Sequence, residues 1–277
     1  MSELARAISE YATVVQGCRV LSFEHVTLLQ QSFGLTRHET EVAALERGVL
    51  PQRYLRNYGT LGLAGQLALA RAHVAVIGLG GLGGYVVEGL ARMGVGRLTL
   101  VDGDLFFDHN LNRQLLSSEA LLGESKAQAA AERVQQINGA VRVTAHADYA
   151  SRENLDELLD GVDVVVDALD RLPIRLTLQD VAAGLGIPMV HGAIAGTMGQ
   201  VMTILPGDAG LKALYGAGPL PEQGAEAELG TPAPSPMMVA AWQVHETLKL
   251  LTGKGELLRQ RMLLMDAYSN DMRVLSV

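Results

Sequence analysis

Cysteine is almost absent: Cys18 is the only one in 277 residues. A lone thiol closes no internal disulfide and builds no cysteine-based metal cage. No apolar run approaches the roughly 18–20 residues that a bilayer span needs. The opening stretch "MSELARAISEYATVV" carries Glu3 and Glu10 and lacks the apolar centre of a signal peptide, which leads us to expect a cytoplasmic protein. Positive charge is also in short supply. Lys and Arg total 22 against 30 Asp and Glu, a net charge of −8. That balance argues against a general nucleic-acid binder and against a basic membrane-surface patch.

What the chain does have is a 48% hydrophobic composition and enough length for one large domain, or one domain with an appendage. Residues 1–70 read as an N-terminal helical arm without strand signals. "SFEHVTLLQQSFG" and "TRHETEVAALERG" each place apolar residues at helical spacing and end in glycine. The acidic balance favours a packing or dimerisation arm over a helix-turn-helix reader of DNA. "PQRYLRNYGTLGLAGQ" reads as a connecting arm.

From residue 71 to residue 277 strands and helices alternate. "HVAVIG", "RLTLVD", "VRVTAHA", "VDVVVDALD", "IPMVHGAIAG" and "GQVMTILP" read as strands, and "RMLLMDAY" and "MRVLSV" close the chain. Near-continuous apolar strands separated by helices predict an α/β fold. We expect a Rossmann-like, mainly parallel sheet with helices on both faces and mixed strands toward the C-terminus. Residues 206–234, rich in Gly, Pro and Ala, read as a long mobile loop. The helix after it is expected to have Ser235 as N-cap, Pro236 at N1 and Gly253 past its end.

Gly78, Gly80 and Gly83 form G-x-G-x-x-G between a strand and a helix, with Gly81 inside the motif. Glycines let backbone approach a phosphate or ribose, and the helix start adds partial positive charge. Asp102 ends the next strand where a carboxylate meets ribose hydroxyls. These features alone also fit an NAD-dependent dehydrogenase. The segment "VDGDLFFDHNLNRQLL" separates the options, because a dehydrogenase does not need so many hydrogen-bonding groups after Asp102. Arg113 offers a guanidinium fork for phosphate, Asn110 and Gln114 can bond phosphate or sugar oxygens, and Phe106 and Phe107 can exclude water. Lys126 opens the next helix, where the dipole disfavours a cation unless an anion sits beside it. Asp170, ending a buried strand, has two readings: a Mg²⁺ ligand opposite a polyphosphate, or the cap of the following helix. Asp167 is expected to make structural hydrogen bonds, and His109 and His191 are candidates to line the pocket.

In order and spacing, "RYLRN", "GLGGLGG", "GVGRLTLVDGD", "NLNRQ", "GESKAQAA", "DVVVDALD" and "VHETLKLLTG" resemble the MoeB, ThiF and HesA adenylyltransferases, relatives of ubiquitin-activating enzymes. The likeness covers residues 53–277. It implies that ATP and Mg²⁺ are bound and that the C-terminal glycine carboxylate of a small ubiquitin-like sulfur carrier, ending in Gly-Gly, is adenylated. Such carriers serve molybdopterin or thiamine biosynthesis or related sulfur transfers. The resemblance places Gly78, Gly80, Gly81 and Gly83 under the nucleotide and Asp102 at the ribose, with Asp104 beside it. It places Asn110, Arg113 and Lys126 at the phosphates with Gln114 in support, and Asp170 at Mg²⁺. Arg56 matches an arginine that reaches into the partner's site, so a homodimer is expected.

Two departures stand out. The two C-x-x-C pairs that hold zinc in many members are missing, and residues 206–236 contain no cysteine for a thioester or persulfide. The expectation is therefore an enzyme that stops at the acyl-adenylate. An NAD-dependent dehydrogenase, a same-fold enzyme activating a small-molecule, peptide or tRNA-nucleoside carboxylate, and a nucleotide-binding module without catalysis remain open alternatives.

Overall fold

The computed structural model describes residues 2–216 and 224–277. The first part is a small layered unit, not a purely helical arm. It runs α1 (Glu3–Tyr11), β1 (Thr13–Val15), β2 (Cys18–Leu21), α2 (Phe23–Phe33), α3 (Arg37–Leu45) and β3 (Leu50–Pro51). β1 and β2 form a hairpin turned by Gln16 and Gly17, both at positive φ (50° and 76°), and β3 adds parallel to β2. Strands of two to four residues are too short to show an alternation, which is why the sequence pattern missed them. The helix signals were sound. Thr36 and Glu39 make a reciprocal capping box on α3, and Gly34 closes α2 in the left-handed region. Ile8, Leu21, Val26, Leu29, Ala44 and Val49 form the core of this unit.

The expected connecting arm is helical too. A 3₁₀ turn over Gln52–Asn57 leads into α4 (Tyr58–Arg71), kinked at Gly62, whose φ is 64°. α4 serves both parts of the molecule: Leu61 and Leu69 enter the large core, while Ala70, Leu63 and Leu67 pack with Tyr54 and Leu45.

The rest is the expected α/β layering. In chain order it contains β4 (His73–Ile77), α5 (Gly81–Met93), β5 (Arg97–Val101), α6 (Lys126–Ile137), β6 (Arg142–His146), α7 (Leu155–Leu158), β7 (Val164–Asp167) and α8 (Leu172–Gly184). There follow β8 (Met189–Ala195), β9 (Met198–Ile204), α9 (Leu211–Tyr215), α10 (Glu226–Leu229), α11 (Pro234–Thr252), β10 (Arg261–Asp266) and β11 (Asp271–Ser276). The sheet order is β11-β10-β9-β8-β7-β4-β5-β6. β6, β5, β4, β7 and β8 are parallel; β9, β10 and β11 extend the sheet antiparallel. From β4 the chain steps outward to β5 and β6, then crosses back to β7 on the other side of β4. The carboxyl ends of β4 and β7 therefore flank the switch point where open α/β sheets bind ligands.

The segment 206–234 is more structured than its composition suggested, since α9 and α10 interrupt it; residues 217–223 lie outside the described part. Gln179 pins its start, accepting from Leu211 N at 2.8 Å and donating to Ala209 O at 3.0 Å. α11 begins one residue earlier than expected, with Pro234 at N1. Ser235 donates instead to the Gly196 carbonyl at 2.6 Å, tying the helix to the β8–β9 turn. Gly253 ends the helix at φ 65°, as anticipated.

Two glycines set the separation between β4 and α5. Gly78 sits at φ 91°, and a Cβ there would lie 2.6 Å from the Ala168 carbonyl oxygen; one on Gly83 would lie 1.9 Å from that of Gly78. We predict that Gly83→Ala destabilises the protein by about 1–3 kcal/mol, because backbone must move to admit the methyl. Thermal unfolding should show a loss of several degrees. Gly139→Ala, with open space around it, should leave the melting temperature nearly unchanged.

Candidate active site

At the switch point lies a crevice of about 1130 Å³. Gly78, Gly80 and Gly81 form one wall at the start of α5, and Asp102, Gly103 and Asp104, just past β5, form the next. The Asp102 carboxylate accepts from Leu79 N at 2.7 Å and from Asp104 N at 2.8 Å, so it pins the glycine turn to the end of β5. Burial pushes its carboxyl up, opposed by the Lys126 charge and the two backbone donors. Gly83 is not in the crevice wall; its role here is the packing just described.

Lys126 opens α6 with a nearly buried side chain, and its Nζ meets Asp104 Oδ2 at 2.9 Å. The anion that offsets the unfavourable helix dipole is thus supplied by the chain itself. Tyr149 donates to the other oxygen of Asp104 at 2.6 Å. Burial alone would raise the Asp104 carboxyl, but the bonds from Tyr149 and Lys126 bring it below its usual value. Sequence reasoning missed Tyr149. Only its packing marks it, since a Cβ on Gly103 would strike its ring at 2.7 Å.

The polar segment after β5 folds into short 3₁₀ turns. Phe106 is fully buried, whereas Phe107 is exposed and stacks on His109 at 5.9 Å. Asn110 is buried and does not line the crevice; its Oδ1 accepts from Phe107 N at 3.0 Å, closing the turn. That turn presents Arg113 and Gln114 to the crevice. Arg113 donates to the His109 carbonyl and to Asn112 Oδ1, each at 2.8 Å. Burial lowers its pKa while the Asp170 charge opposes the shift, so the two groups face the same space. Gln114 is 6% exposed, and among the described residues its Oε1 has no hydrogen-bond partner.

Asp170 lies exposed on the opposite rim, beyond β7. It does not cap α8: Arg171 occupies the N-cap position and no side chain bonds there. Among the described residues Asp170 makes no hydrogen bond or ion pair. Asp167 is structural, as expected. Fully buried, it accepts from His191 Nδ1 at 2.7 Å and Leu169 N at 3.1 Å, with Arg175 at 3.7 Å. Burial alone would raise its carboxyl, but Arg175 and the His191 bond hold it below its usual value. Arg175 also donates to the Leu169 and Gly192 carbonyls, joining the rim to β8. His191 is buried beneath the crevice and does not line it.

A second limb runs from the rim over β8, β9 and β10. Ala193, Gln200 and Leu264, paired across the three strands, join Ala195 and Met198 in its floor; Tyr215 and residues 224–227 border it. Arg171, Arg175, Gln200 and Tyr215 were not anticipated there. A glutamine inside the otherwise apolar strand "GQVMTI" was the one available signal. Arg56 is exposed in the 3₁₀ turn before α4 and lies outside this crevice.

A family model described as the ThiF family matches residues 54–277. The SAMP-activating enzyme E1 of Haloferax volcanii is 38% identical over 208 residues, which are 75% of this chain and 77% of that protein. The sulfur carrier protein adenylyltransferase of Thermus thermophilus is 39% identical over 224 residues, 78% of this chain and 83% of that one. Of three plant relatives the match takes in only 52%, 45% and 47%, so this chain spans about half their length. Among solved structures, E. coli MccB superposes with a TM-score of 0.70 at 22% identity, covering 81% of this chain and 69% of that one. E. coli tRNA N6-threonylcarbamoyladenosine dehydratase, TcdA, in complex with ATP gives 0.62 at 26%, covering 73% and 94%. The MccB likeness establishes the fold alone.

Burial lowers the pKa of His191, and likewise of His38 and His73. Each stays neutral in the fold where the unfolded chain already binds a proton. The stability they contribute is therefore complete above the unfolded value of about 6.5 and declines as pH falls through it. We predict a urea midpoint that drops between pH 7.5 and pH 5.5, with a shallower slope in His191→Asn. An unchanged slope would remove His191 from this account.

Proposed function

The chain belongs to the ThiF family, and we propose that it uses ATP to adenylate the C-terminal glycine carboxylate of a small ubiquitin-like sulfur carrier. The observation that carries this reading is the gathering of Arg113, Lys126, Gln114 and Asp170 around the glycine turn, in a crevice continuous with a limb able to take an extended chain. The named activities of the Haloferax and Thermus relatives support it.

The reaction joins two anions. A carboxylate oxygen of the carrier forms a bond to the α-phosphorus of ATP, the bond from that phosphorus to the β-bridging oxygen breaks, and pyrophosphate leaves with the electron pair. The attacking carboxylate is already ionised, so no general base is needed. Arg113 and Lys126 offset the repulsion and the charge on the leaving group, as does the start of α5. Asp102 receives the ribose hydroxyls, and the glycines admit the nucleotide close to backbone. Lys126 passes from Asp104 toward the phosphates; Tyr149 remains to hold Asp104.

Among the described residues no cluster of three His, Cys, Asp or Glu forms a metal cage. Mg²⁺ does not require one, because it keeps waters and shares one or two carboxylates with substrate phosphates. Asp170, which has no other partner among the described residues and faces Arg113, fits that role. When bound there, the ion would add charge neutralisation at the phosphate oxygens.

Cys18 is buried in β2 of the N-terminal unit, and burial pushes its thiol up from the usual value. It has neither the access nor the ionisation of a nucleophile. We therefore place the end of this enzyme's reaction at the acyl-adenylate. Arg56, away from its own crevice, acts across a homodimer in this reading.

The test is ATP–pyrophosphate exchange with a panel of Gly-Gly-ended ubiquitin-like carriers, alongside free amino acids and tRNA bearing a threonylcarbamoyl group. A carrier should support exchange; exchange confined to the tRNA or the free acids would overturn the reading. Arg113→Ala and Asp170→Ala should each lose about 2.7–4 kcal/mol of transition-state stabilisation, the size of one lost oxyanion donor. Arg56→Ala should fold normally yet lose activity, and mixing it with Arg113→Ala should restore part of it. A fully active monomer in sedimentation would refute the cross-subunit role.

A further inference from the structure

The second limb contains a chain of hydrogen bonds that fixes one group in a single orientation. It begins at the buried Asp167 carboxylate, 2.7 Å from His191 Nδ1. A bond this short to an ionised acceptor puts the imidazole proton on Nδ1. The adjacent Arg175 guanidinium, 3.3 Å from the same nitrogen, is then a neighbour and not a donor to it; its own protons go to the Leu169 and Gly192 carbonyls. His191 is fully buried, and burial, helped by the Arg175 charge, lowers its pKa against the opposing Asp167 bond and charge. Its Nε2 is therefore a bare acceptor.

That settles the amide of Gln200, whose Nε2 lies 3.0 Å from His191 Nε2. Only the NH₂ end of an amide can face an unprotonated ring nitrogen. The second proton of that NH₂ points to Tyr215 Oη at 3.3 Å. The amide carbonyl is left over. It has no partner among the described residues, and Gln200 sits in the crevice wall.

The surroundings narrow what that carbonyl meets. In the strand row it lies between Ala193 and Leu264, with Gly199, Ala195 and Met198 close by. None of these side chains is charged or can donate a hydrogen bond. Gly224 and Ala225, both small, line the crevice as well, together with Tyr215 and Glu226. An apolar strand floor with one oriented acceptor suits the N–H of an extended peptide backbone better than a free carboxylate without an amide.

We propose that Gln200 is a specificity residue whose side-chain carbonyl, held by the Asp167–His191–Gln200 chain, accepts a hydrogen bond from a backbone N–H in the extended tail of the substrate. This rests on the adenylation reading and deepens it. The limb recognises a peptide amide, so the activated carboxylate belongs to a polypeptide. His191 is a positioning residue: it touches no substrate and decides which end of the Gln200 amide faces the tail.

The experiment takes the carrier that supports exchange in the panel and remakes it by peptide ligation in two forms, with N-methylglycine at the last or at the penultimate position. Each form lacks one N–H and keeps the carboxylate. With the wild-type enzyme one form should raise KM about tenfold, the size of one hydrogen bond, with little change in kcat. With Gln200→Leu the unmodified carrier should show the same rise, and methylation should add nothing. The wild-type comparison stands even if that variant folds poorly. Two methylated forms that bind like the unmodified carrier, or a methylation penalty of equal size in Gln200→Leu, would overturn the proposal while leaving adenylation intact. A panel in which no carrier supports exchange removes the adenylation reading, and this inference with it.

Discussion

A single buried carboxylate organises the functional edge of this sheet. Asp167 ends β7 with no exposure to solvent, and its charge is compensated by Arg175, by the His191 N–H and by the Leu169 amide. Losing one partner of such a pair costs about 3–5 kcal/mol, because the charge left behind cannot reach water. The main-chain carbonyl of the same residue accepts from Gln243 of α11 at 2.8 Å. One residue therefore ties β7 to α8, to β8 and to the long C-terminal helix.

The consequence is a rigid rim. Ala168 lies against the glycine turn after β4, and Asp170 projects from the next bend toward Arg113. On the far side, Asp102 fixes the same glycine turn to β5 through Leu79 N. Two carboxylates, Asp102 and Asp167, one on each side of β4, thus anchor the strand ends that border the crevice. Preorganisation of this kind matters because the proposed chemistry consists largely of positioning anions against fixed positive groups.

The crevice also contains a buried lysine with its own counter-charge. Lys126 is held by Asp104, which Tyr149 holds in turn. Without a polyphosphate the lysine has a carboxylate beside it, so burying it leaves no uncompensated charge. The second limb differs in make-up: Ala193, Ala195, Met198 and Leu264 give it an apolar floor, and Gln200 sits among them, bonded to His191 and Tyr215.

Much of this was written in local sequence. Near-continuous apolar runs specified the strands of the large sheet, the glycine spacing specified the turn after β4, and Gly34 and Gly253 marked helix ends. Each depends on a few adjacent residues, so each is readable without knowing the fold. The three short strands of the N-terminal unit were not, because two to four residues pair only when a distant partner is present. The site divides along the same line. Gly78, Asp102, Arg113, Lys126 and Asp170 stand in recognisable motifs, whereas Tyr149, Arg175, Gln200 and Tyr215 acquire meaning only when β7, β8, β9 and α9 come together. The sequence by itself determined the strands and main helices of the large sheet and the glycine spacing of the turn after β4. Only the tertiary structure decided which nitrogen of His191 is bare and which end of Gln200 faces the crevice, because a hydrogen-bond direction is set by partners far apart in the chain.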